Sequence, residues 1–375
     1  YEMTSSLVGS EMCIRDSPDT FYWPASPSSG GSFDEPNDPN RGDVHYWEVW
    51  HGNKPFSEYR KYFFRYASEF GFQSFPSVKT LETVTDDPKE LNPFSYVMEK
   101  HQRNYGGNGK IAKYMQAAYR YPENFSDFVY VSQLLQADGI RYGVEHYRRN
   151  RGRCMGAIYW QLNDCWPVIS WSSIDYYGRW KALHYYAKRF FAPVMLSCEE
   201  QSWMTVEADM NRQHFEFEKS IRLNVTNETL DAHRVLVKWA VRKTDATILR
   251  EEEQWLEVPA LSAVWMDKVE LPQIDCFNEY VSYEAWENDQ IISQGTVIFS
   301  YPKYFHYLNP GLAVRVDGDE IVVKAEAYAK SVEIRNENDD LILEDNYFDI
   351  NAGEYRVKIL DGKPDGLKVR SVYDI

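Results

Sequence analysis

Two rhythms of hydrophobic and polar positions divide this chain near Pro193. Over residues 20–193, short apolar or aromatic runs alternate with longer segments of helical spacing, the pattern of βα units around a parallel sheet. Strands are expected at 21–25, 45–50, 64–70 and 155–160, each running into a loop rich in polar, Gly or Pro residues. Between the third and fourth lies an expected long helix, clearest over 126–149. There Phe128, Val131, Leu135, Tyr142 and Tyr147 recur at near-helical spacing behind a Ser126-Asp127 cap. This helix is expected to pack on the outside of the sheet. Beyond Pro193 the period falls to two: Ile221, Leu223 and Val225, then Val235, Val237, Trp239 and Val241, then less regularly 296–299. Turn residues separate these runs at the spacing of an antiparallel sandwich. A second break near 301–310 precedes a smaller all-β unit, marked by Val314 and Val316, then Val323, Ala325 and Ala327, then Val332 and Ile334, and by runs at 355–360 and 367–372.

Charge narrows the function classes. With 41 basic against 57 acidic residues the formal charge is −16, so association with nucleic acid or an anionic membrane surface would begin with repulsion. A neutral substrate fits better. The basic run at 148–153 reads as a helix end closed before Gly152, where cations complement the macrodipole. Cys13, Cys154, Cys165, Cys198 and Cys276 are scattered without metal-ligand or disulfide spacing and read as mostly free thiols. No apolar run approaches the roughly 18 to 20 residues that span a bilayer. An aromatic content of 16% supplies material for cores and for stacking against sugar rings.

The run Ser68-Glu69-Phe70-Gly71-Phe72-Gln73-Ser74-Phe75-Pro76 ends an apolar strand on one carboxylate among aromatic and glycine neighbours, a placement suited to chemistry on a sugar. Gly71 is expected to let the backbone turn sharply beside it. Downstream stands Tyr159-Trp160-Gln161-Leu162-Asn163-Asp164-Cys165-Trp166-Pro167, and upstream His45-Tyr46-Trp47-Glu48-Val49-Trp50-His51-Gly52 ends another strand before a glycine turn. Together these segments resemble the second half of the catalytic barrel of the family 2 glycoside hydrolases, most closely the β-mannosidases. The resemblance implies that Glu69 is the nucleophile of a retaining reaction and that Trp160 lies under the sugar at the cleaved bond. By the same resemblance Trp50 and His51 meet the sugar, Asn163 and Asp164 bond its hydroxyls or brace the rim, and Trp23 is a further, weaker candidate. The family's acid/base, the Glu of an Asn-Glu pair, is expected upstream of the first matched segment. Asn227-Glu228, Asn278-Glu279 and Asn336-Glu337 all fall in the expected sandwiches and are given no such role.

The expected fold is therefore α/β plus all-β: the C-terminal half of a (β/α)8 TIM barrel over 18–194, then immunoglobulin-like β-sandwiches over 195–302 and 303–375. Residues 1–17 match nothing in the family, are similar to translated adapter sequence, and are read as a non-native or disordered leader. The expected function is that of a fragment of an exo-β-mannosidase acting on the non-reducing ends of β-mannoside oligosaccharides or glycoprotein glycans, poorly active by itself without its proton donor. Neither a metal nor any other cofactor is expected, nor a nucleic-acid or membrane partner. Two other readings stay open: a non-catalytic carbohydrate-binding or structural remnant, and another family 2 glycosidase or an endo-acting mannosidase. Intracellular, periplasmic and lysosome-like locations all remain open.

Overall fold

The computed structural model describes residues 15–23, 25–30, 34–206 and 216–375. Most of the expected leader, residues 1–14 with Cys13, lies outside the described residues. Three of the expected strands run side by side and parallel, but their regular portions are short. Strand β1 (Val44–His45) pairs with β2 (Ala67–Glu69), placing His45 opposite Glu69. Segment 155–160 lies along the other edge of β2, where Ala67 N–H donates to Gly156 O at 3.0 Å and Ile158 N–H to Ala67 O at 2.8 Å.

The structure corrects the expected strand at 45–50. It stops at His45, and the chain folds back so that His51 N–H reaches Trp47 O at 2.7 Å and Lys54 N–H reaches Glu48 O at 3.2 Å. The expected strand at 21–25 has no regular pairing among its described residues. Prolines at 24 and 27 deprive that stretch of ladder donors, and side chains hold it instead: Trp23 Nε1 donates to Asp43 Oδ1 at 2.9 Å.

Helices α1 (Val78–Leu81), α2 (Tyr96–Lys100) and α3 (Gly107–Ala118) lead to the long α4 (Phe125–Arg149), and α5 (Ala182–Phe190) follows. The cap of α4 is Asn124 rather than the expected Ser126-Asp127. The Asn124 Oδ1 accepts from Asp127 N–H at 3.0 Å, which satisfies one of the first-turn donors. The helix packs against the sheet, and it is covered on its other sides as well. Phe128, Val131, Leu135, Tyr142 and Tyr147 are buried as the periodicity predicts, but Tyr130, Leu134, Ile140 and Val144 are buried too. A helix apolar on most sides belongs in an interior. On one side a Cβ added at Gly143 would lie 2.9 Å from the Phe70 ring, and on another Tyr130 OH donates to Ser331 O at 2.6 Å.

The basic end of α4 is also inside. Arg148 donates to Phe190 O at 2.6 Å and Ala192 O at 2.8 Å, and the buried Arg149 guanidinium meets Glu145 at 3.4 Å and Glu199 at 3.8 Å.

The remainder is antiparallel. Strands β3 (Val194–Gln201), β4 (Ser220–Asn227), β5 (His233–Lys243), β6 (Ile248–Val258), β7 (Ser262–Trp265), β8 (Val269–Glu270), β9 (Glu279–Glu287) and β10 (Gln290–Ile298) form two sheets. One has the order β10-β9-β5-β6, the other β3-β4-β7 with β8 also on β4. The alternating residues Ile221, Leu223, Val225, Val235, Val237, Trp239 and Val241 all lie in the core between them.

Strands β11 (Ala313–Asp317), β12 (Glu320–Ala325), β13 (Ala329–Arg335), β14 (Ile342–Leu343), β15 (Phe348–Ile350), β16 (Gly353–Asp361) and β17 (Lys368–Arg370) make a second pair of sheets, β11-β12-β16-β14 and β15-β13-β17. Its core, including Ile321, Val332 and Phe348, is continuous with that of the α/β part, whereas the middle sandwich has a core of its own. The chain is thus a mixed α/β unit joined to immunoglobulin-like sandwiches, with sheet predominating.

Candidate active site

Parallel pairing of β1, β2 and segment 155–160 brings three carboxyl ends to one rim. Glu69 closes β2 with its side chain 23% exposed. His45 at the end of β1 and Trp47 just beyond it both bring their side chains to Glu69. Trp47 Nε1 donates to Glu69 Oε1 at 2.9 Å, and His45 Nδ1 stands 3.6 Å from Oε2. Trp160 follows on the next line, its N–H on Phe70 O at 2.7 Å and its indole 45% exposed. The Trp160–Gln161 peptide is cis.

Gly71 is required for a different reason from the one expected. It is not among the positive-φ glycines; instead, a Cβ there would sit 2.4 Å from Trp160 O and 3.0 Å from both Trp171 Cδ1 and the Trp47 ring. Close approach of neighbouring backbone and indoles, rather than a sharp turn, excludes a side chain. Helix α4 sets the depth of this rim: Gln136 donates to Phe72 O at 2.9 Å and Trp171 O at 3.0 Å, and accepts from Ser74 Oγ at 2.6 Å.

The other residues expected to touch a sugar are distributed unevenly. Trp50 is fully buried, packed edge-on against Phe72 at 5.0 Å and Trp171 at 6.2 Å between ring centroids. With the Lys110 ammonium 5.4 Å from its ring, it lies beneath the rim rather than facing solvent. His51 is exposed beside the Trp47 ring at 5.3 Å, and partial burial together with Lys110 holds its pKa below the ordinary value, so the ring favours its neutral form.

Asn163 is exposed in the loop after Trp160, and its carbonyl accepts from Gln161 Nε2 at 2.9 Å. Asp164 turns inward, accepting from Ser170 Oγ at 2.9 Å and also from Ser172 Oγ and Gln161. Its partners brace the loop. Behind it, burial pushes the Lys181 ammonium down to about 8 against the opposing pull of Asp164 and Asp175. Trp166 stacks with His101 at 4.9 Å and has the Arg103 guanidinium 4.8 Å from its ring.

Sequence reasoning missed Trp47, His45 and a polar cluster around Asp43. Asp43 Oδ1 accepts from Trp23 Nε1 and Ser28 N–H, each at 2.9 Å, while Oδ2 accepts from the hydroxyls of Ser26 and Ser68. Burial opposes its ionisation, yet these donors hold its pKa below the usual carboxylate value. The pairing of His45 and Trp47 at a spacing of two was visible in the sequence. The Asp43 cluster, assembled from residues up to 25 positions to either side of Asp43, left no local signal.

Among the described residues no group of three or more His, Cys, Asp or Glu is arranged to hold a metal, and no helix is long and apolar enough to cross a membrane. Cavities of about 400 and 710 Å³ lie between α4 and the sandwiches, and neither is lined by Glu69, Trp47 or Trp160.

Residues 219–304 match the profile of the mannosidase Ig/CBM-like domain, and 307–375 that of an Ig-fold domain. β-Mannosidase B of Thermothelomyces thermophilus is 30% identical over 392 residues, which span 97% of this chain and 45% of that protein. The corresponding enzyme of Aspergillus terreus is 29% identical over 94% of this chain and 43% of its own length. The crystal structure of β-D-mannosidase from Dictyoglomus thermophilum superposes with a TM-score of 0.82 and 28% identity over 96% of this chain and 43% of that one. This chain is a family 2 β-mannosidase homologue. It spans less than half the length of the β-mannosidases it matches, 43–45% in these three cases. An exo-chitosanase of Amycolatopsis orientalis shares the fold at 18% identity and a TM-score of 0.56.

Proposed function

We propose that this chain carries the nucleophile side of a retaining exo-β-mannosidase site, on the second half of a (β/α)8 barrel over 18–194 followed by sandwiches over 195–302 and 303–375. The observation that carries the reading is the Glu69 carboxylate at a strand end, oriented by the Trp47 indole at 2.9 Å beside the exposed face of Trp160. The hydrogen bond from Trp47 to Oε1 orients the carboxylate, and a flat indole suits the C–H face of a pyranose. Glu69 would attack the anomeric carbon of a terminal β-mannosyl unit of an oligosaccharide or glycoprotein glycan. The C–O bond to the aglycone breaks with its electron pair on the leaving oxygen, and water then releases mannose with retention.

Retention needs a second carboxyl roughly 5 to 5.5 Å from the first to protonate that oxygen. We assign that role to no residue of this chain. The assignment to the Asn-Glu pair of the family predicts that this chain alone lacks general acid help worth roughly 10² to 10⁴-fold.

A substrate whose leaving group needs no proton isolates the nucleophile. The chain is incubated with 2-deoxy-2-fluoro-β-D-mannosyl fluoride and analysed by intact mass spectrometry and peptide mapping. The expected result is one fluoromannosyl ester on Glu69, and none in Glu69→Gln. A folded chain that remains unlabelled at saturating reagent overturns the proposal in favour of a non-catalytic carbohydrate-binding or structural role.

A further inference from the structure

The hydroxyl protons around Asp43 determine where the protons of His45 sit. Ser26 and Ser68 both donate to Asp43 Oδ2, which commits the Ser26 proton and leaves its oxygen as an acceptor. The ring nitrogen Nε2 of His45 lies 2.9 Å from that oxygen, so Nε2 carries a proton and donates it to Ser26. The opposite nitrogen, Nδ1, faces Glu69 Oε2 at 3.6 Å, an ion-pair distance too long for a hydrogen bond. A neutral ring would then aim a lone pair at a carboxylate oxygen. The contact is attractive only when Nδ1 is protonated as well. The ionisable groups the structure places against this ring are Glu69 on β2 and, through Ser26, Asp43.

We infer that His45 is a positioning residue for Glu69: the chain Asp43, Ser26, His45 fixes the imidazole with a proton on Nε2 and presents a second proton on Nδ1 to Glu69 Oε2. Trp47 and His45 then hold one oxygen each, which confines the carboxylate plane. The inference rests on the reading of Glu69 as the nucleophile. No proton of this relay moves in the glycosylation step. The Glu69 oxygen forms its bond to the anomeric carbon, the leaving group departs with the electron pair, and the imidazolium keeps both protons while its counter-charge passes to the leaving group. The ionised Asp43 remains to balance it through Ser26.

Two readouts test this on the intact chain. Long-range proton–nitrogen NMR of the uniformly labelled chain identifies the His45 ring, among eight histidines, as the spin system lost in His45→Gln. The expected ring carries one proton on Nε2 and a second on Nδ1, Ser26→Ala abolishes the preference for Nε2, and a wild-type ring without the Nδ1 proton overturns the pairing with Glu69. A neutral ring protonated on Nδ1 alone overturns the relay.

The second readout is the rate of Glu69 labelling by the fluorosugar fluoride. His45→Gln is expected to lower the first-order rate constant about 10- to 100-fold, as loss of reactive-group alignment does, with a much smaller change in the concentration dependence. Ser26→Ala should follow in the same direction. An unchanged rate constant in His45→Gln overturns the positioning role. If the wild-type chain itself is not labelled, the nucleophile reading has failed and the positioning role with it, and the NMR tautomer still decides whether the relay exists.

Discussion

Replacing Glu200 by Ala should break one tie between the α/β part and the middle sandwich. Glu200 lies on β3, buried, with Oε2 2.7 Å from Arg60 Nη2 and Oε1 accepting from Tyr142 OH of α4. Arg60 also donates to the Glu200 carbonyl at 2.8 Å and lies over the Tyr142 ring at 4.5 Å. The two side chains are only 12% and 3% exposed, so truncation leaves a guanidinium charge in a site with little water to replace its partner. Breaking such a pair from one side costs about 3–5 kcal/mol.

The charge contributes a pH signature. Burial alone would raise the Glu200 pKa, but Arg60 and the Tyr142 hydrogen bond outweigh it and the pKa is lowered. A depressed folded pKa means stability that is full above the unfolded carboxyl value and lost as pH falls through the folded one. Urea unfolding followed by tryptophan fluorescence should therefore show the difference between wild type and Glu200→Ala at its largest at neutral pH and shrinking on acidification below the ordinary glutamate range. A difference under about 1 kcal/mol at neutral pH, the worth of an exposed pair, or one constant with pH, would refute the reasoning.

Gly71→Ala should destabilise by about 1–3 kcal/mol and slow fluorosugar labelling, because its Cβ has the Trp160 carbonyl 2.4 Å away; an unaltered unfolding midpoint and labelling rate would contradict the close-approach account. Lys181 has its pKa depressed to about 8 from 10.5, so the folded state sheds a proton before the unfolded one does. Wild type should accordingly gain stability relative to Lys181→Met as pH rises from about 8 toward 10.5, and urea midpoints showing no such trend would count against the buried ammonium. Met155, Ile158 and Leu162, each more than half exposed along and just beyond segment 155–160, leave an apolar edge open to pairing. The chain should self-associate with rising concentration in light scattering, and Ile158→Lys should reduce this; a monodisperse monomer at about 100 µM, well within the range where exposed edges associate, would refute it.

Local pattern by itself determined the division into an α/β part and antiparallel sandwiches, the buried faces of β4 and β5, the course of α4, the strand-end position of Glu69 and the kinship with β-mannosidases. These depend on periodicity and short motifs, which survive without knowledge of neighbours. What covers a face was not legible. Burial of α4 on nearly all sides follows from the C-terminal sandwich sharing a core with the α/β part, a contact between residues some 200 positions apart, such as Tyr130 and Ser331. The exchange of Trp50 for Trp47 beside Glu69 has the same origin. Where β1 stops and the chain reverses decides which indole faces the rim, and that reversal is fixed by tertiary packing, with Trp50 filling the space against Phe72 and Trp171. The Asp43 cluster and the need for glycine at position 71 likewise exist only once three parallel segments have been laid side by side, since hydrogen-bond geometry and close approach belong to distances in space rather than to order along the chain.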